Sequence, residues 1–189
     1  MKIYVVNGYP RSGKDTFCKY VEEIAVASHT YSTIEPFKDI IREEFWWNGE
    51  KDDKTRHLLS ELKRLANEYC DYTMKTLEKE IKYYDSYWRN FQVDGCFFIM
   101  SREPEEIKRI CETYHALAIY VNRDVEKKFS NASDFNVENY NYNYIVNNVG
   151  TLSDLFSSAV EFCKFESIKL KGKVTDQADL FGNSHIEIK

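Results

Sequence analysis

Residues 3–16 read IYVVNGYPRSGKDT, in which a short apolar run leads into a turn with a glycine at either end. The apolar run Ile3–Val6 predicts a buried strand, and the apolar positions that recur at helical spacing from Asp15 onward predict a helix. Between them, Gly8–Lys14 satisfies the pattern G-x-x-x-x-G-K, which requires a strand before it and a helix after it. The sequence therefore predicts a phosphate-binding loop (P-loop) directly after the first strand of an α/β fold.

The residue types in this loop suit the binding of phosphate. Glycines at both ends allow the backbone N–H groups to converge on phosphate oxygens, and the helix that follows adds the positive end of its dipole. Lys14 is expected to reach the β- and γ-phosphates of a nucleotide and to neutralise charge as a phosphoryl group leaves. We expect ATP with Mg²⁺ to be the ligand, held by Gly8, Arg11, Ser12, Gly13, Lys14, Asp15 and Thr16.

Two departures from the usual P-loop pattern bear on magnesium. Asp15 stands where Ser or Thr usually follows the lysine, and Ser101 ends a predicted strand where many P-loop enzymes carry an Asp. Because magnesium accepts carboxylate oxygens directly or through water, one hypothesis is that Asp15 compensates for the missing strand-end carboxylate. Thr16 would then offer its hydroxyl to the α-phosphate. The alternative is that Asp15 is an ordinary first-turn residue favoured by the helix dipole.

Short strands and helical segments alternate along the chain. Further strands are predicted at about residues 30–34, 96–100, 116–121 and 144–146, and helices at about 14–28, 36–45, 53–82, 104–115 and 151–163. This pattern predicts a P-loop NTPase fold of three layers, with a five-stranded parallel sheet and helices on both faces. Residues 1–166 are expected to form one domain, and residues 167–189 are either an appended strand or a tail.

Composition limits the classes of function. The 189 residues are 43% hydrophobic and 30% charged, which is typical of a soluble globular protein, and the net charge of −5 argues against a nucleic-acid polymer as partner. Five scattered cysteines without a C-x-x-C pair argue against a zinc site or a disulfide framework and favour a reducing compartment. The first apolar run is too short for a signal peptide or a membrane span. We expect a cytoplasmic monomer or homodimer without membrane association.

Cationic side chains are placed where a second anion would bind. Arg102 follows a predicted strand and is therefore expected on the sheet edge that carries the P-loop. Lys38, Arg56 and Lys63 lie on the predicted helices after the second strand. Such cations beside a triphosphate site indicate a phosphorylated acceptor, although each helical cation taken singly fits equally well as a solvated charge.

The loop Gly8–Thr16, with G-K-D-T in place of G-K-S or G-K-T, resembles the P-loop of phage-type deoxynucleoside monophosphate kinases. Other segments resemble the same group: Tyr31–Lys38, Asn48–Arg56, Leu58–Lys63 and Arg102–Ile107 resemble its acceptor region, and Asn147–Leu152 the turn near the adenine of ATP. The likeness covers about residues 1–160. It implies the nucleoside monophosphate kinase fold, with an acceptor region at about 35–90 and a lid at about 123–141.

The resemblance also implies an activity and roles for residues. The activity is transfer of the γ-phosphoryl group of ATP to a (deoxy)nucleoside 5′-monophosphate, in which positioning and electrostatics carry most of the catalysis because the acceptor oxygen is already anionic. The implied catalytic cations are Lys14, Arg102 and Arg123, with Lys127 and Lys128 also in the lid. Lys38, Arg56, Lys63 and Arg102 would bind the acceptor phosphate, and Asn148 and Gly150 would lie near the adenine.

Two other functions fit the same residues. One is a P-loop kinase with another small phosphorylated acceptor, of the dephospho-coenzyme A or phosphomevalonate type. The other is a non-catalytic ATP-binding module, which the missing strand-end carboxylate favours. The absence of an N-K-x-D motif argues against a GTPase. Base preference is not predicted, since Trp46, Trp47, Tyr69 and Tyr72 fit either a base-stacking role or a place in the core.

Overall fold

The computed structural model describes residues 1–50, 52–124, 137–172 and 186–188. The strands are β1 (Lys2–Asn7), β2 (Ser28–Ser32), β3 (Cys96–Met100), β4 (Leu117–Asn122), β5 (Tyr144–Asn147) and β6 (Ile186–Ile188). The helices are α1 (Lys14–Ile24), α2 (Glu35–Glu44), α3 (Asp53–Cys70), α4 (Tyr72–Asn90), α5 (Pro104–Tyr114) and α6 (Leu152–Phe165). None of these helices is both long enough and apolar enough to cross a membrane.

The strands form one mixed sheet in the order β2-β3-β1-β4-β5-β6. The first five strands in that order are parallel, whereas β6 pairs antiparallel to β5. The predicted α/β class is confirmed, but the predicted count of five strands is wrong, because residues after 167 supply a sixth. That strand is only three residues long and its sequence is not continuously apolar, so no strand-like run reveals it.

Side chains of the buried strands point alternately to the two faces of the sheet, and a hydrophobic core lies on each face. Tyr4 and Val6 of β1 belong to the cluster that α1 and α6 cover, while Val5 belongs to the cluster that α4 and α5 cover. Successive side chains of a strand point to opposite faces, and here both faces are apolar because both are covered. The predicted three-layer arrangement is therefore what the structure has.

The predicted helix at 53–82 is two helices. Asp71 separates α3 from α4 with a positive φ of 55°, and the side chain of Asn67 accepts a hydrogen bond of 2.8 Å from the backbone of Thr73. Arg109 of α5 pairs with both carboxylate oxygens of Asp71. The break was missed because Asp is only one of several residues that tolerate this conformation, and neither glycine nor proline marks it.

Helix α3 packs differently from its apolar pattern. Leu65 and Tyr69, which recur at the helical spacing typical of a packed face, are 53% and 90% exposed, and no residue of α3 is buried. Phe45 and Trp46, at the end of α2 and just after it, are also exposed. These apolar residues contact solvent because α3 lies outside the two core layers, beside α2 and α4. Of the two possibilities left open for Trp46 and Tyr69, the place in the core is wrong.

A buried carboxylate joins the end of α6 to the sheet. Glu166 is 8% exposed and accepts hydrogen bonds from the hydroxyls of Tyr4, at 2.7 Å, and Tyr144, and it pairs with Lys2 at 3.2 Å. Burial alone raises the pKa of Glu166, but the hydrogen bonds from Tyr144, Tyr4 and Lys2 outweigh it and hold the pKa below its usual value. The carboxylate is thus a stabilising group only while it is ionised.

We expect Glu166→Gln to lower the free energy of unfolding at pH 7 by about 2 kcal/mol, since hydrogen bonds to a charged group are lost. A carboxyl with a lowered folded-state pKa stabilises the fold above its unfolded pKa, and that contribution is lost as pH falls through the folded value. The difference between wild type and E166Q should therefore shrink below about pH 4. Urea unfolding from pH 3 to pH 8 measures it, with E161Q on the exposed face of α6 as the control. A difference that is independent of pH would contradict the assignment.

Candidate active site

The P-loop lies between β1 and α1, at the carboxyl edge of the sheet. A Cβ on Gly8 would lie 2.5 Å from Oγ of Ser12 and 2.6 Å from the carbonyl oxygen of Val121. Gly13 has a φ of 96°, and a Cβ there would lie 2.4 Å from Nδ2 of Asn148. Both glycines are therefore required by close approach, and at Gly13 also by the backbone conformation. The loop can form because these two positions carry no side chain.

Polar contacts fix both ends of this loop. The N–H of Gly8 donates to Oδ1 of Asn7 at 2.8 Å, and the N–H of Ser12 donates to the carbonyl of Tyr9 at 3.1 Å. Nδ2 of Asn148 donates to the carbonyl of Ser12 at 2.8 Å. The β5–α6 turn, expected near the adenine of ATP, therefore contacts the P-loop directly. Asn7 carried no sequence signal, because a single asparagine after a strand is common in turns.

Lys14 is the first residue of α1 and is 7% exposed. Burial lowers the pKa of its ammonium group, the positive charge of Arg102 lowers it further, and Asp15 opposes both. Nζ of Lys14 lies 3.6 Å from a carboxylate oxygen of Asp15, whose side chain is 77% exposed. A nearly buried cation thus lies at a helix N-terminus beside one solvent-exposed carboxylate, and a second cation repels it, an arrangement that favours the binding of an anion.

The hydroxyl of Ser12 is fully buried and has no hydrogen-bond partner in the described part of the chain. Burial of an unpaired hydroxyl is unfavourable. A ligand oxygen that accepts a hydrogen bond from this hydroxyl would remove that cost. Arg11, one residue earlier, is exposed and has a φ of 67°, in the region that turns the chain sharply. The turn of the loop thus places the side chain of Arg11 in solvent and buries that of Ser12.

The end of β3 carries a hydroxyl where many P-loop enzymes carry a carboxylate. Oγ of Ser101 donates to Glu106 of α5 at 2.6 Å, and Thr33, just after β2, donates to the same oxygen at 2.8 Å. Lys63 of α3 lies 2.8 Å from the other oxygen of Glu106. Glu106 thus joins two strand ends and α3. Glu106 belongs to the segment Arg102–Ile107, which resembles the acceptor region of the kinases named above. No rule of residue spacing predicts the contacts that its side chain makes.

We expect the Lys63–Glu106 pair to couple strongly, because the two side chains are only 16% and 12% exposed. A double-mutant cycle of K63M and E106Q should give a coupling free energy of about 1.5–3 kcal/mol by urea unfolding. The matched control is Arg64 with Glu61 on the same helix, at 56% and 43% exposure, where about 0.5 kcal/mol or less is expected. Equal coupling in the two cycles would show that Lys63 does not anchor α3.

The remaining predicted cations are spread over the acceptor region. Nζ of Lys38 pairs with Glu35 at 2.7 Å, and a guanidinium nitrogen of Arg56 lies 3.6 Å from Asp53, so each pairs within or next to its own helix. Arg123 is exposed just after β4. Lys127 and Lys128 lie outside the described residues. The positive charge of Arg102 thus acts on Lys14, while Lys38, Arg56 and Arg123 make no hydrogen bond or ion pair with the P-loop in the described ranges.

The residues expected near the adenine and the metal show two further features. Thr151 and Asp154 form the predicted capping box of α6, and a Cβ on Gly150 would lie 2.3 Å from Oδ2 of Asp154. Gly150 is therefore needed for the cap itself. Among the described residues, no group of three or more His, Cys, Asp or Glu side chains is placed to hold a metal. Magnesium at such a site is usually bound through one or two carboxylates together with substrate phosphates, which Asp15 would suit.

Comparison with known proteins identifies distant structural similarity and no family. No protein-family model matches the chain, and no curated protein matches it. Among solved structures, the chain is similar to the tunicamycin resistance protein of Deinococcus radiodurans, with a TM-score of 0.43 and 10% identity over 90% of this chain and 98% of that chain. A likeness of this strength carries no conclusion about activity.

Proposed function

We propose that the chain is an ATP-dependent kinase that transfers the γ-phosphoryl group to a (deoxy)nucleoside 5′-monophosphate. The observation that carries the proposal is Lys14, a nearly buried cation at the start of α1 whose charge is opposed by that of Arg102. It lies at the end of a loop that excludes side chains at Gly8 and Gly13. A cation that is shielded from water interacts strongly with phosphate. Stabilisation of the phosphate charge by such cations is a main source of catalysis in phosphoryl transfer.

Each part of the site has a role in this proposal. The backbone N–H groups of the loop and the hydroxyl of Ser12 hold the triphosphate, and Lys14 and Arg102 stabilise the charge that develops during transfer. Asp15 is the carboxylate proposed to share in holding magnesium, which would supply further positive charge at the phosphates. Asn148 positions the turn before α6 against the P-loop. Arg123, which follows β4 and begins the predicted lid, would supply a further cation to the phosphates.

The acceptor is proposed to bind between α2, α3 and the end of β3, where Lys38, Arg56, Lys63 and Arg102 are distributed. Since Glu106 already balances the charge of Lys63, a phosphate that binds there has to compete with a carboxylate. Exposed rings at Trp46 and Tyr69 are available for a base, because neither ring is used by the core. A base together with a phosphate matches this mixture of cations and aromatic rings.

An ADP-release assay with Mg-ATP and a panel of acceptors tests the proposal. The panel contains each ribo- and deoxyribonucleoside monophosphate, then dephospho-coenzyme A and phosphomevalonate. Acceleration by one or more nucleoside monophosphates is the expected result. Acceleration by only one of the other two acceptors would replace the substrate class while retaining the kinase. Tight ATP binding without acceleration by any acceptor would favour the ATP-binding module.

A further inference from the structure

A buried asparagine at the end of β1 is a junction between three parts of the site. Asn7 is 0% exposed, and its Oδ1 accepts the N–H of Gly8 at 2.8 Å. That bond fixes the orientation of the amide, so its Nδ2 has to donate in the opposite direction. There it donates to the hydroxyl oxygen of Tyr142 at 2.8 Å and, at 3.4 Å, to the carbonyl of Arg102. One amide therefore contacts the first glycine of the P-loop and the backbone of a predicted catalytic cation.

The hydroxyl of Tyr142 completes this junction from outside the P-loop. It accepts from Asn7 and donates to the carbonyl of Val137 at 2.6 Å. A phenol has one proton, so donation to Val137 leaves its oxygen free to accept, and the direction of both bonds is fixed. Tyr142 is 4% exposed and its ring stacks on Tyr120, with ring centroids 5.1 Å apart. Burial raises the pKa of Tyr142, so the hydroxyl keeps its proton at neutral pH.

A displacement of Gly8 would affect the P-loop, because Gly8 lies against Ser12. Because a Cβ on Gly8 would lie only 2.5 Å from Oγ of Ser12, the two residues are in close contact across the loop. The hydroxyl of Ser12 is one of four buried side-chain hydroxyls that have no hydrogen-bond partner among the described residues. Without the hydroxyl of Tyr142, Nδ2 of Asn7 would keep only its 3.4 Å bond to the carbonyl of Arg102, and the acceptor for Gly8 would be held less firmly. We therefore expect the position of Ser12 to respond to loss of the bond between Asn7 and Tyr142.

We propose that Tyr142 is a positioning residue for the triphosphate site, and that its hydroxyl couples the P-loop to the segment 137–142 before β5. The proposal rests on the proposed binding of a nucleoside triphosphate at the P-loop. The proposal goes beyond the proposed function because it assigns a role to Tyr142, which belongs to no phosphate-binding motif. Binding of the triphosphate should tighten the junction, and an intact junction should tighten binding, because coupling between two sites is reciprocal.

The test is the dissociation constant of Mg-ATP for Y142F, measured by calorimetry well below the melting temperature. Phenylalanine keeps the ring and its stacking but leaves both Nδ2 of Asn7 and the carbonyl of Val137 without the hydroxyl. We expect the dissociation constant to rise about tenfold, which means that about 1.4 kcal/mol of the cost of the two lost hydrogen bonds appears in binding. The control is Y140F, the same change at the neighbouring tyrosine that packs against Tyr142, with an expected change of less than about twofold.

Hydrogen exchange of the wild type supplies a second measurement that does not depend on the folding of a variant. Amides of residues 137–142 should exchange more slowly when Mg-ATP is bound. Unchanged affinity in Y142F, or unchanged exchange in that segment, would overturn the inference while leaving the proposed kinase intact. Failure of the wild type to bind Mg-ATP would instead overturn the proposed function, and the inference with it.

Discussion

Lys14→Met should reduce phosphoryl transfer by about a thousandfold or more and should not reduce stability, since one charged group that acts on the transition state is removed. Methionine fills nearly the same volume without a charge. The ammonium of Lys14 is almost buried, and its pKa is lowered first by burial and then by Arg102, so its charge is unfavourable in the folded protein. We expect the melting temperature to rise by about 2–4 °C, which corresponds to about 1 kcal/mol for a domain of this size.

The control for this change is Lys19→Met on the same helix, where the side chain is 73% exposed. It should leave both the rate of transfer and the melting temperature within error of the wild type. The opposite pattern in K14M, with retained activity and a large loss of stability, would show that Lys14 is a structural cation. Calorimetry and initial-rate assays on the two variants, made in parallel, separate these results.

Gly13→Ala should destabilise the chain by about 3–4 kcal/mol and abolish binding of ATP, because two costs are combined at this position. The backbone has a φ of 96°, which is unfavourable for any residue with a Cβ. The new methyl would also lie 2.4 Å from Nδ2 of Asn148, whose hydrogen bond to Ser12 links the β5–α6 turn to the P-loop. Urea unfolding gives the stability, and ATP titration gives the binding.

Two other glycines separate the two costs. Gly49 has nearly the same φ, 94°, with no atom within 4 Å of an added Cβ, so G49A should lose only about 1–2 kcal/mol. Gly172 has neither feature, and G172A should be neutral within about 0.5 kcal/mol. Equal losses in G13A and G49A would mean that the contact with Asn148 is relieved by a small movement, and that the loop is less constrained than its geometry indicates.

The parts of the fold that follow from the sequence are those with strong local signals. The strand Cys96–Met100 is a continuous apolar run and was predicted with its observed bounds, and the capping box at Thr151 marks the start of α6. The loop Gly8–Lys14 was identified because two glycines and a lysine at this spacing, between a strand and a helix, are typical of phosphate-binding loops. In each case a short segment determines its own structure, so a single sequence is sufficient.

Features that depend on distant contacts did not follow from the sequence. The exposed apolar face of α3 has the periodicity of a packed helix, and only the arrangement of layers shows that Leu65 and Tyr69 contact solvent. The junction at Asn7 joins residues 135 positions apart, and the contact between Lys63 and Glu106 spans 43 positions. Polar contacts of this kind have no periodic pattern, because any donor near any acceptor can form them. The roles of Lys38, Arg56 and Arg123 stay predictions for the same reason.

Transfer of radiolabel from γ-labelled ATP to an added nucleoside monophosphate is the most direct test that this chain is a kinase of the proposed class. With magnesium present, the account predicts that label appears in the corresponding nucleoside diphosphate, and that K14M abolishes its appearance. Label that remains in ATP, or that is released only as inorganic phosphate with every nucleoside monophosphate, would contradict the account.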